Sequence, residues 1–220
     1  MTAYGLPAEQ IVVVHEAADP RFRPASPERI KAVRTAYGLP QRYILFVGTI
    51  EPRKNLTRLL HAFETLHGEG LTDGLVLVGK RGWLYEGFFA ELEESPVKGA
   101  VIMPGYVPDE DLPAVYGGAQ LLVFPSLYEG FGLPLLEAMA CGTAVACSGT
   151  SSLPEVGGEA ARYFDPMDEA SITETLRSVL ADSALRGELA ARGLARAAGF
   201  SWDRVAEETE AVYRAALAAY

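Results

Sequence analysis

Cysteine and positive charge are both scarce in this sequence of 220 residues. The two cysteines, Cys141 and Cys147, lie in apolar sequence and do not form a Cys-x-x-Cys pair. We therefore expect buried free thiols in a reducing compartment rather than a disulfide framework. Lysine and arginine number 19 against 29 acidic residues, which gives a formal net charge of −10. This balance argues against broad attraction to nucleic acid or to an anionic membrane, although a local basic cluster remains open.

Long apolar runs are missing as well. Residues 1–7 have neither a basic n-region nor an apolar h-region, so we do not expect them to act as a signal peptide. The most apolar window, residues 133–147, is interrupted by Glu137 and Gly142 and is too short to span a bilayer. We therefore predict a cytoplasmic protein without a transmembrane segment.

What the sequence does contain is a regular alternation of apolar runs and amphipathic helical patterns. Hydrophobic residues make up 49% of the chain, which is enough for a sizeable core. Continuous apolar strands separated by helices predict a parallel sheet covered on both faces, which is an α/β, doubly wound fold. The predicted strands are 43–47, 75–78, 100–103, 121–124, 144–147 and 161–164, and the helices between them are 56–66, 85–94, 110–116 and 134–140.

We divide the chain into a leading segment, residues 1–40, and a main domain with C-terminal helices, residues 41–220. The leading segment is predicted to hold a short strand at 11–14, a proline-rich linker, and a helix over 27–37 that Ser26 caps. From Asp168 onward the pattern is helical, and Ser201 is placed to cap the last helix.

In the stretch from Phe124 to Glu137, a strand, a glycine loop and a helix follow one another. Pro134 suits the first turn of the helix, where its missing N–H has no partner to lose. Gly130 and Gly132 lack a Cβ and let a ligand approach the backbone. Two carboxylates flank this turn, Glu129 in the loop and Glu137 one turn into the helix.

This layout predicts a nucleoside diphosphate site. A helix start offers free backbone N–H groups and the positive end of the helix dipole, which favour an anion. Glu137 can accept two hydrogen bonds from a vicinal diol such as a ribose, each worth about 1.5–3 kcal/mol. The alternative interpretation makes Glu129 an exposed loop residue and Glu137 a partner of the helix dipole.

A resemblance to a known family enters with these residues. The segment Glu129-Gly-Phe-Gly-Leu-Pro-Leu-Leu-Glu137 matches the Glu-x7-Glu motif of the family 4 (group 1) retaining glycosyltransferases. From about Tyr43 onward, the chain resembles their C-terminal half, the Rossmann-like domain of the GT-B fold that binds the nucleotide sugar. The resemblance implies that Glu129 lies near the donor sugar and that Glu137 holds the ribose. It also implies that backbone groups of Gly130, Phe131, Gly132 and Leu133 hold phosphate and sugar hydroxyls.

The loop after the first strand carries two adjacent cations, Arg53 and Lys54, close to a helix start. In the resembling family the lysine of this pair contacts the donor diphosphate, as does an arginine directly after the glycine, here Gly48. In this chain Thr49 stands where the family has that arginine. Lys54 is therefore the stronger candidate for a contact with the diphosphate, and Arg53 becomes more important as the second cation. We count Glu129, Arg53 and Lys54 as candidate catalytic residues, with Gly48 and Thr49 in the binding site, and we expect Asn55 to cap the helix.

Three further loops follow strands. The resemblance places the loop after the third strand against the nucleobase, with Tyr106 and Val107 as the candidates. Residues 109–111 spell Asp-x-Asp, a metal signature of another glycosyltransferase fold, but at a helix start they favour capping, so we predict no metal. After the second strand, Lys80 or Arg81 could contact a phosphate or a base, or could face solvent. The serine-rich loop 148–155 is a candidate cover for the sugar end of the cleft.

We therefore predict the donor-binding domain of a glycosyltransferase that transfers a hexosyl group with retention from a GDP- or UDP-linked sugar, with mannose as a candidate sugar and no cofactor. The acceptor would be a glycan or a lipid-linked glycan bound by an N-terminal domain absent from this chain, so the chain alone would bind donor without efficient turnover. A lipid acceptor would bring the protein to the inner membrane face. The alternatives are half of a sugar-nucleotide epimerase or phosphorylase, a non-catalytic nucleotide-sugar-binding module, and a flavodoxin-like domain.

Overall fold

Six parallel strands form one sheet in the computed structural model, which describes Gly5 and residues 7–218. The order reverses at the centre of the sheet, where the first and fourth strands are neighbours, so the chain winds outward from this point in both directions. This confirms the predicted doubly wound α/β fold. Across the sheet, the strands are β3 (Val101–Ile102), β2 (Gly74–Val78), β1 (Tyr43–Val47), β4 (Leu121–Phe124), β5 (Val145–Ser148) and β6 (Ala161–Phe164).

Helices cover both faces of this sheet, and every residue of β2, β4 and β5 is buried. The helices of the described chain are α1 (Pro27–Ala36), α2 (Leu56–Gly68), α3 (Glu86–Glu94), α4 (Leu112–Gly117), α5 (Leu133–Ala140), α6 (Leu153–Gly157), α7 (Glu169–Ala181), α8 (Ser183–Ala197) and α9 (Trp202–Ala218). In one group α2 packs against α3 and α7, and in the other α5 packs against α4, α6 and α8. Within the described residues, none of these helices is both long enough and apolar enough to cross a membrane.

Two of the helix caps predicted from the sequence, at Ser26 and Ser201, are confirmed. Ser26 Oγ accepts a hydrogen bond from the N–H of Arg29 at the start of α1, and Ser201 Oγ accepts one from the N–H of Arg204 at the start of α9, both at 3.2 Å. Each bond satisfies a backbone donor that has no partner within its helix.

Two predicted strands are wrong in part or in whole. Residues 11–14 are not a strand, because the described sheet has no strand beside them, and Val12 and Val13 are 62% and 65% exposed. Their β-branched side chains favour extended backbone, but propensity without a pairing partner does not make a strand. The strand predicted at 100–103 shortens to β3, an edge strand that pairs only with β2, and Ala100 belongs to a 3-10 turn.

The loops after β1 and β2 run side by side beyond the sheet. The N–H of Gly48 donates to Val78 O and the N–H of Ile50 donates to Lys80 O, each at 2.9 Å. Gly79 has a φ of +145°, and a Cβ at this position would lie 2.0 Å from Gly48 O. The close approach therefore requires glycine, and it fixes the two loops as one unit at the carboxyl edge of the sheet.

Asn55 holds this unit to the other half of the sheet, although not by the helix cap that the sequence predicts. Its side chain makes no capping bond to α2, and its φ of 56° is left-handed. Nδ2 instead donates to Pro125 O at 3.1 Å and to Pro166 O at 2.7 Å, in the loops after β4 and β6. The buried amide is thus a tertiary contact between the loops that follow three strands.

We predict that Asn55→Ala destabilises the fold by about 3 kcal/mol, because two carbonyls lose a donor and alanine must adopt a left-handed φ. Asn55→Gly should cost about 1 kcal/mol less, since glycine removes only the backbone strain. Urea unfolding of both variants measures the difference. Equal stabilities of the two variants would show that the backbone conformation contributes nothing.

Candidate functional site

Lys54 lies at the centre of the sheet edge, where β1 and β4 are neighbours. Its Nζ is 4.9 Å from the centroid of the Phe124 ring at the end of β4, and a Cβ on Gly48 would lie 3.8 Å from its Cε. In open α/β sheets ligands bind in the crevice at this reversal point. The predicted cation therefore occupies the part of the fold that is best placed to meet a ligand.

Four charged side chains alternate in sign along this crevice. Lys54 Nζ is 2.6 Å from Glu129 Oε1, Arg53 Nη1 is 3.0 Å from Glu129 Oε2, and Arg53 Nη2 is 2.6 Å from Glu51 Oε1. The side chains of Lys54 and Glu129 are only 9% and 10% exposed, so this pair is largely removed from water. The three residues that the sequence predicts as catalytic are therefore in direct contact.

Arg53 also joins the loops after β1 and β4 through the backbone. Its Nη1 donates to Tyr128 O at 2.6 Å, and its own carbonyl accepts from the N–H of Leu127 at 2.9 Å. The guanidinium thus has two carboxylate partners and one carbonyl partner. It fixes the position of the loop that carries Glu129.

Glu129 is ionised in this setting. Burial acts to raise the pKa of Glu129, but hydrogen bonds, among them those from Lys54 and Arg53, and the charge of Lys54 outweigh it and leave that pKa below its usual value. Burial likewise opposes the charge of Arg53, and the hydrogen bond and charge of Glu129, with those of Glu51, raise the pKa of Arg53 overall.

The serine-rich loop after β5 supports the backbone of the glycine loop. Ser151 Oγ accepts from the N–H of Glu129 at 3.0 Å, and Ser152 Oγ lies 3.1 Å from Glu129 O and 2.9 Å from Phe131 O. The proposed cover for the sugar end of the cleft therefore already uses these two hydroxyls to hold the glycine loop.

The N-terminus of α5 presents the donors that the sequence predicts for a phosphate. Gly132 occupies the N-cap position with a φ of 110°, and no side chain caps the helix. Among the described residues, no acceptor contacts the backbone N–H groups of Gly130, Phe131, Gly132 or Leu133. These donors lie at the positive end of the α5 dipole, next to the loop of Glu129, and are available to an anion.

Glu137 lies in the same helix, half-buried, and accepts a hydrogen bond from the hydroxyl of Tyr116 at 2.6 Å. Burial raises the pKa of Glu137 above its usual value, and the carboxylates of Asp109 and Asp19 add to this, while the bond from Tyr116 acts in the opposite direction. The fold therefore keeps an acidic side chain in a place that disfavours its charge. One hydroxyl bond from Tyr116 leaves further lone pairs of the carboxylate for a diol.

A cavity of about 540 Å³ opens between the loops after β1, β2 and β3. Four predicted binding residues line it, together with Lys80, for which the sequence left a phosphate, a base and solvent open, and Asp109. Its volume falls in the range usual for small-molecule sites, and its lining is mainly apolar, as a stacked base requires. Val107 is buried in its wall, whereas Tyr106 is 82% exposed at its mouth. The four predicted residues are Gly48, Thr49, Tyr106 and Val107.

The prediction that Asp109 and Asp111 cap a helix is wrong. Asp111 is the residue before α4 but makes no capping bond, and it accepts instead from the hydroxyl of Tyr37 at 2.7 Å and from Arg29. Asp109 accepts from Arg21 at 2.6 Å. Both carboxylates therefore tie the loop after β3 to the leading segment. In the part of the chain that the structure describes, no three potential ligands cluster to hold a metal ion.

Sequence reasoning missed Glu51 and Tyr116. Glu51 could have been found, because it precedes the predicted cation Arg53 by two residues in the same glycine loop. Tyr116 could not have been, since only the packing of α4 against α5 brings its hydroxyl to Glu137.

The strand order and the position of the glycine loop define the class of protein: a doubly wound, Rossmann-like α/β domain. Residues 31–196 match the family described as Glycosyl transferases group 1, and the chain belongs to this family.

Three relatives illustrate the match. The chain is 42% identical over 213 residues to O-antigen chain mannosyltransferase B from Escherichia coli, which covers 96% of this chain and 56% of that protein. Sucrose-phosphate synthase from Thermosynechococcus elongatus matches with a TM-score of 0.80 at 27% identity, over 94% of this chain and 52% of the other. HepE from Anabaena, solved with UDP, shares the fold at a TM-score of 0.84 and 18% identity, over 99% of this chain and 60% of HepE. The chain thus spans little more than half the length of the mannosyltransferase.

We predict that Glu137→Gln is more stable than the parent at neutral pH. The raised pKa of Glu137 means that its ionised form opposes folding, and glutamine keeps the acceptor for Tyr116 without the charge. The stability difference should grow as pH rises from about 4.5 through the raised pKa of Glu137, and stay constant above it. Urea unfolding between pH 5 and 8 measures it, with Glu188→Gln, in an exposed ion pair, as the control. A difference that shrinks with rising pH would contradict the argument.

Proposed function

We propose that this chain is the donor-binding part of a retaining hexosyltransferase and that it holds a nucleotide-diphosphate sugar in the crevice between β1 and β4. One observation carries the proposal. A largely buried lysine, four uncommitted backbone N–H groups at a helix start and a carboxylate with a raised pKa all belong to loops or helices at this one crevice. These are the groups needed for a diphosphate and a ribose.

Lys54 and the N-terminus of α5 act on the diphosphate. Negative charge builds on the leaving diphosphate as the bond to the sugar breaks, and fixed positive groups in a partly dry site stabilise it. We propose that these groups supply the positive charge and that no metal takes part. Arg53 contributes through its contact with Glu129.

Glu137 binds the two ribose hydroxyls. A carboxylate whose ionised form opposes folding is costly to the protein, and such groups concentrate at functional sites. The cavity beside Gly48 and Thr49 takes the base, with Val107 as part of its wall and Tyr106 over its opening. Glu129 and the backbone of Phe131 to Leu133 meet the sugar.

The functions of relatives support the proposed nature of the donor. A mannosyltransferase is 42% identical to this chain, so we propose that the sugar is mannose, linked to GDP or UDP. The acceptor is a glycan or a lipid-linked glycan, and a lipid would bring the protein to the inner membrane face. We further propose that this chain alone binds donor without efficient transfer, and that attack occurs on the same face from which the diphosphate leaves. Isomerisation of the donor would favour an epimerase instead, and transfer to phosphate a phosphorylase.

Calorimetric titration with UDP, GDP, ADP and their sugars tests the proposal. We expect one nucleoside diphosphate to bind in a single site and its sugar conjugate to bind more tightly. Turnover of that donor by this chain with added acceptor would contradict the part of the proposal that concerns transfer. If none of these nucleotides or nucleotide sugars binds, the proposal that the chain binds a donor is contradicted as well.

We predict that Lys54→Met weakens binding of the nucleoside diphosphate about tenfold to a hundredfold, because one charge-assisted contact is lost, while the nucleoside binds as before. Methionine keeps an unbranched apolar chain against Phe124. Calorimetry with both ligands gives the comparison. Lys98→Met, which removes an exposed lysine paired with Glu93, is the control and should bind both like the parent. Equal losses for both ligands would place Lys54 away from the diphosphate.

We predict that Glu137→Gln weakens the nucleoside diphosphate about tenfold and leaves inorganic pyrophosphate unaffected, because glutamine keeps one acceptor but loses the charge that strengthens bonds from a diol. A 2′-deoxy nucleotide, which lacks one hydroxyl, should lose less on this substitution. Weaker binding of pyrophosphate would show that Glu137 acts on the phosphates.

A further inference from the structure

Both candidate cations already have carboxylate partners in this structure. Glu129 lies between them, 2.6 Å from Lys54 and 3.0 Å from Arg53. A diphosphate that binds Lys54 must therefore compete with a carboxylate of the protein. The competitor is strong, because both side chains of the Lys54–Glu129 pair are nine-tenths buried.

The two cations differ in how firmly they are held. Lys54 has Glu129 as its hydrogen-bond acceptor among the described residues, with the Phe124 ring beneath it. Arg53 has three acceptors, Glu51, Glu129 and Tyr128 O. Glu51 is 3% exposed, so a turn of Arg53 towards a ligand would leave a buried carboxylate without its partner. Lys54 can change its partner at lower cost than Arg53.

We propose that Glu129 exchanges partners when the donor binds: the diphosphate takes Lys54, one carboxylate oxygen stays on Arg53, and the freed oxygen accepts from a hydroxyl of the donor sugar. In this exchange Glu51 is a positioning residue that keeps Arg53 in place. The inference rests on the proposed function and adds to it an order of events and a role for Glu51.

The charges of the four side chains make this exchange feasible. The charges of Glu51, Arg53, Glu129 and Lys54 sum to zero in this cluster. When Lys54 turns to the diphosphate, Glu129 keeps one ion pair, with Arg53, and does not become an isolated buried charge. Glu129 also remains ionised, because its pKa is lowered by Arg53 as well as by Lys54.

The exchange couples two parts of the ligand. Before the diphosphate binds, both oxygens of Glu129 have cationic partners, so little of the carboxylate is left for a sugar. After it binds, one oxygen is free. The site should therefore recognise the sugar only as part of a nucleotide conjugate, and the free sugar should bind weakly in the absence of the nucleoside diphosphate.

Glu129→Gln tests the exchange, since glutamine removes the competing anion without changing size. We expect the nucleoside diphosphate to bind about tenfold more tightly than to the parent. The advantage of the sugar conjugate over the plain diphosphate should fall in the same variant. Calorimetry with both ligands measures the two effects, and urea unfolding shows whether the variant is folded. Where it is not, Glu129→Asp serves, because an aspartate is one methylene too short to reach both cations and should also tighten the diphosphate.

Glu51 is tested with two variants. Glu51→Ala should reduce the advantage of the sugar conjugate about fivefold, because Arg53 is released and no longer fixes Glu129, and should change the affinity for the plain diphosphate less than twofold. Glu51→Gln should retain most of the advantage, since its amide oxygen still accepts from Arg53. A loss of affinity for both ligands alike would mark Glu51 as structural only. Glu188→Ala removes a carboxylate from an exposed pair on α8 and is the control.

The outcomes separate this inference from the proposed function. If the parent binds no nucleoside diphosphate, the proposed function fails and the exchange with it. If the parent binds one and Glu129→Gln binds it more weakly, the proposed function stands and the exchange is overturned. A structure with the bound conjugate in which Lys54 still contacts Glu129 would also overturn it.

Discussion

The reversal of strand order between β1 and β4 is the constraint on which the site depends. The loops that leave these two neighbouring strands belong to opposite windings of the sheet, so they separate and open a crevice. The contacts that cross it in the described structure include the ion pairs of Arg53 and Lys54 with Glu129, the bonds of Arg53 with Tyr128 and Leu127, and the amide of Asn55. Stability and ligand binding therefore depend on the same small group of side chains.

Glu137 shows how the protein accepts a local cost at this site. Its helix could carry a leucine at that position and gain apolar contact with Tyr116, yet it carries an acid whose charge burial disfavours. Tyr116 lowers the cost without removing it. Glu129 is the opposite case, because two cations stabilise its charge. Two carboxylates in one motif thus have opposite electrostatic environments, which fits two different tasks.

Much of the fold could be predicted from the sequence, because buried parallel strands and amphipathic helices have distinct periodicities. The six strand positions and the glycine loop before α5 follow from those patterns and from Pro134. The strand predicted at residues 11–14 is wrong because a β-type run needs a neighbouring strand to pair with, which the local sequence does not reveal. The helix caps predicted at Asn55 and Asp111 are wrong for a related reason. Both stand at helix starts, where capping is the local preference, but each side chain finds a stronger partner far away in the chain. The contacts within the site, such as Glu51 with Arg53, depend on distances that spacing alone does not fix.

The serine hydroxyls beneath the glycine loop have one more effect. Ser152 contacts the carbonyl oxygens of Glu129 and Phe131, and Ser151 accepts a hydrogen bond from the N–H of Glu129. The two peptide groups whose oxygens contact Ser152 are therefore held with those oxygens towards the protein, and their N–H groups, those of Gly130 and Gly132, have no acceptor among the described residues. An arriving anion meets dipoles that are already oriented, and it does not have to reorganise them or strip them of competing partners. The two serines thus prepare the loop for a ligand that they need not touch.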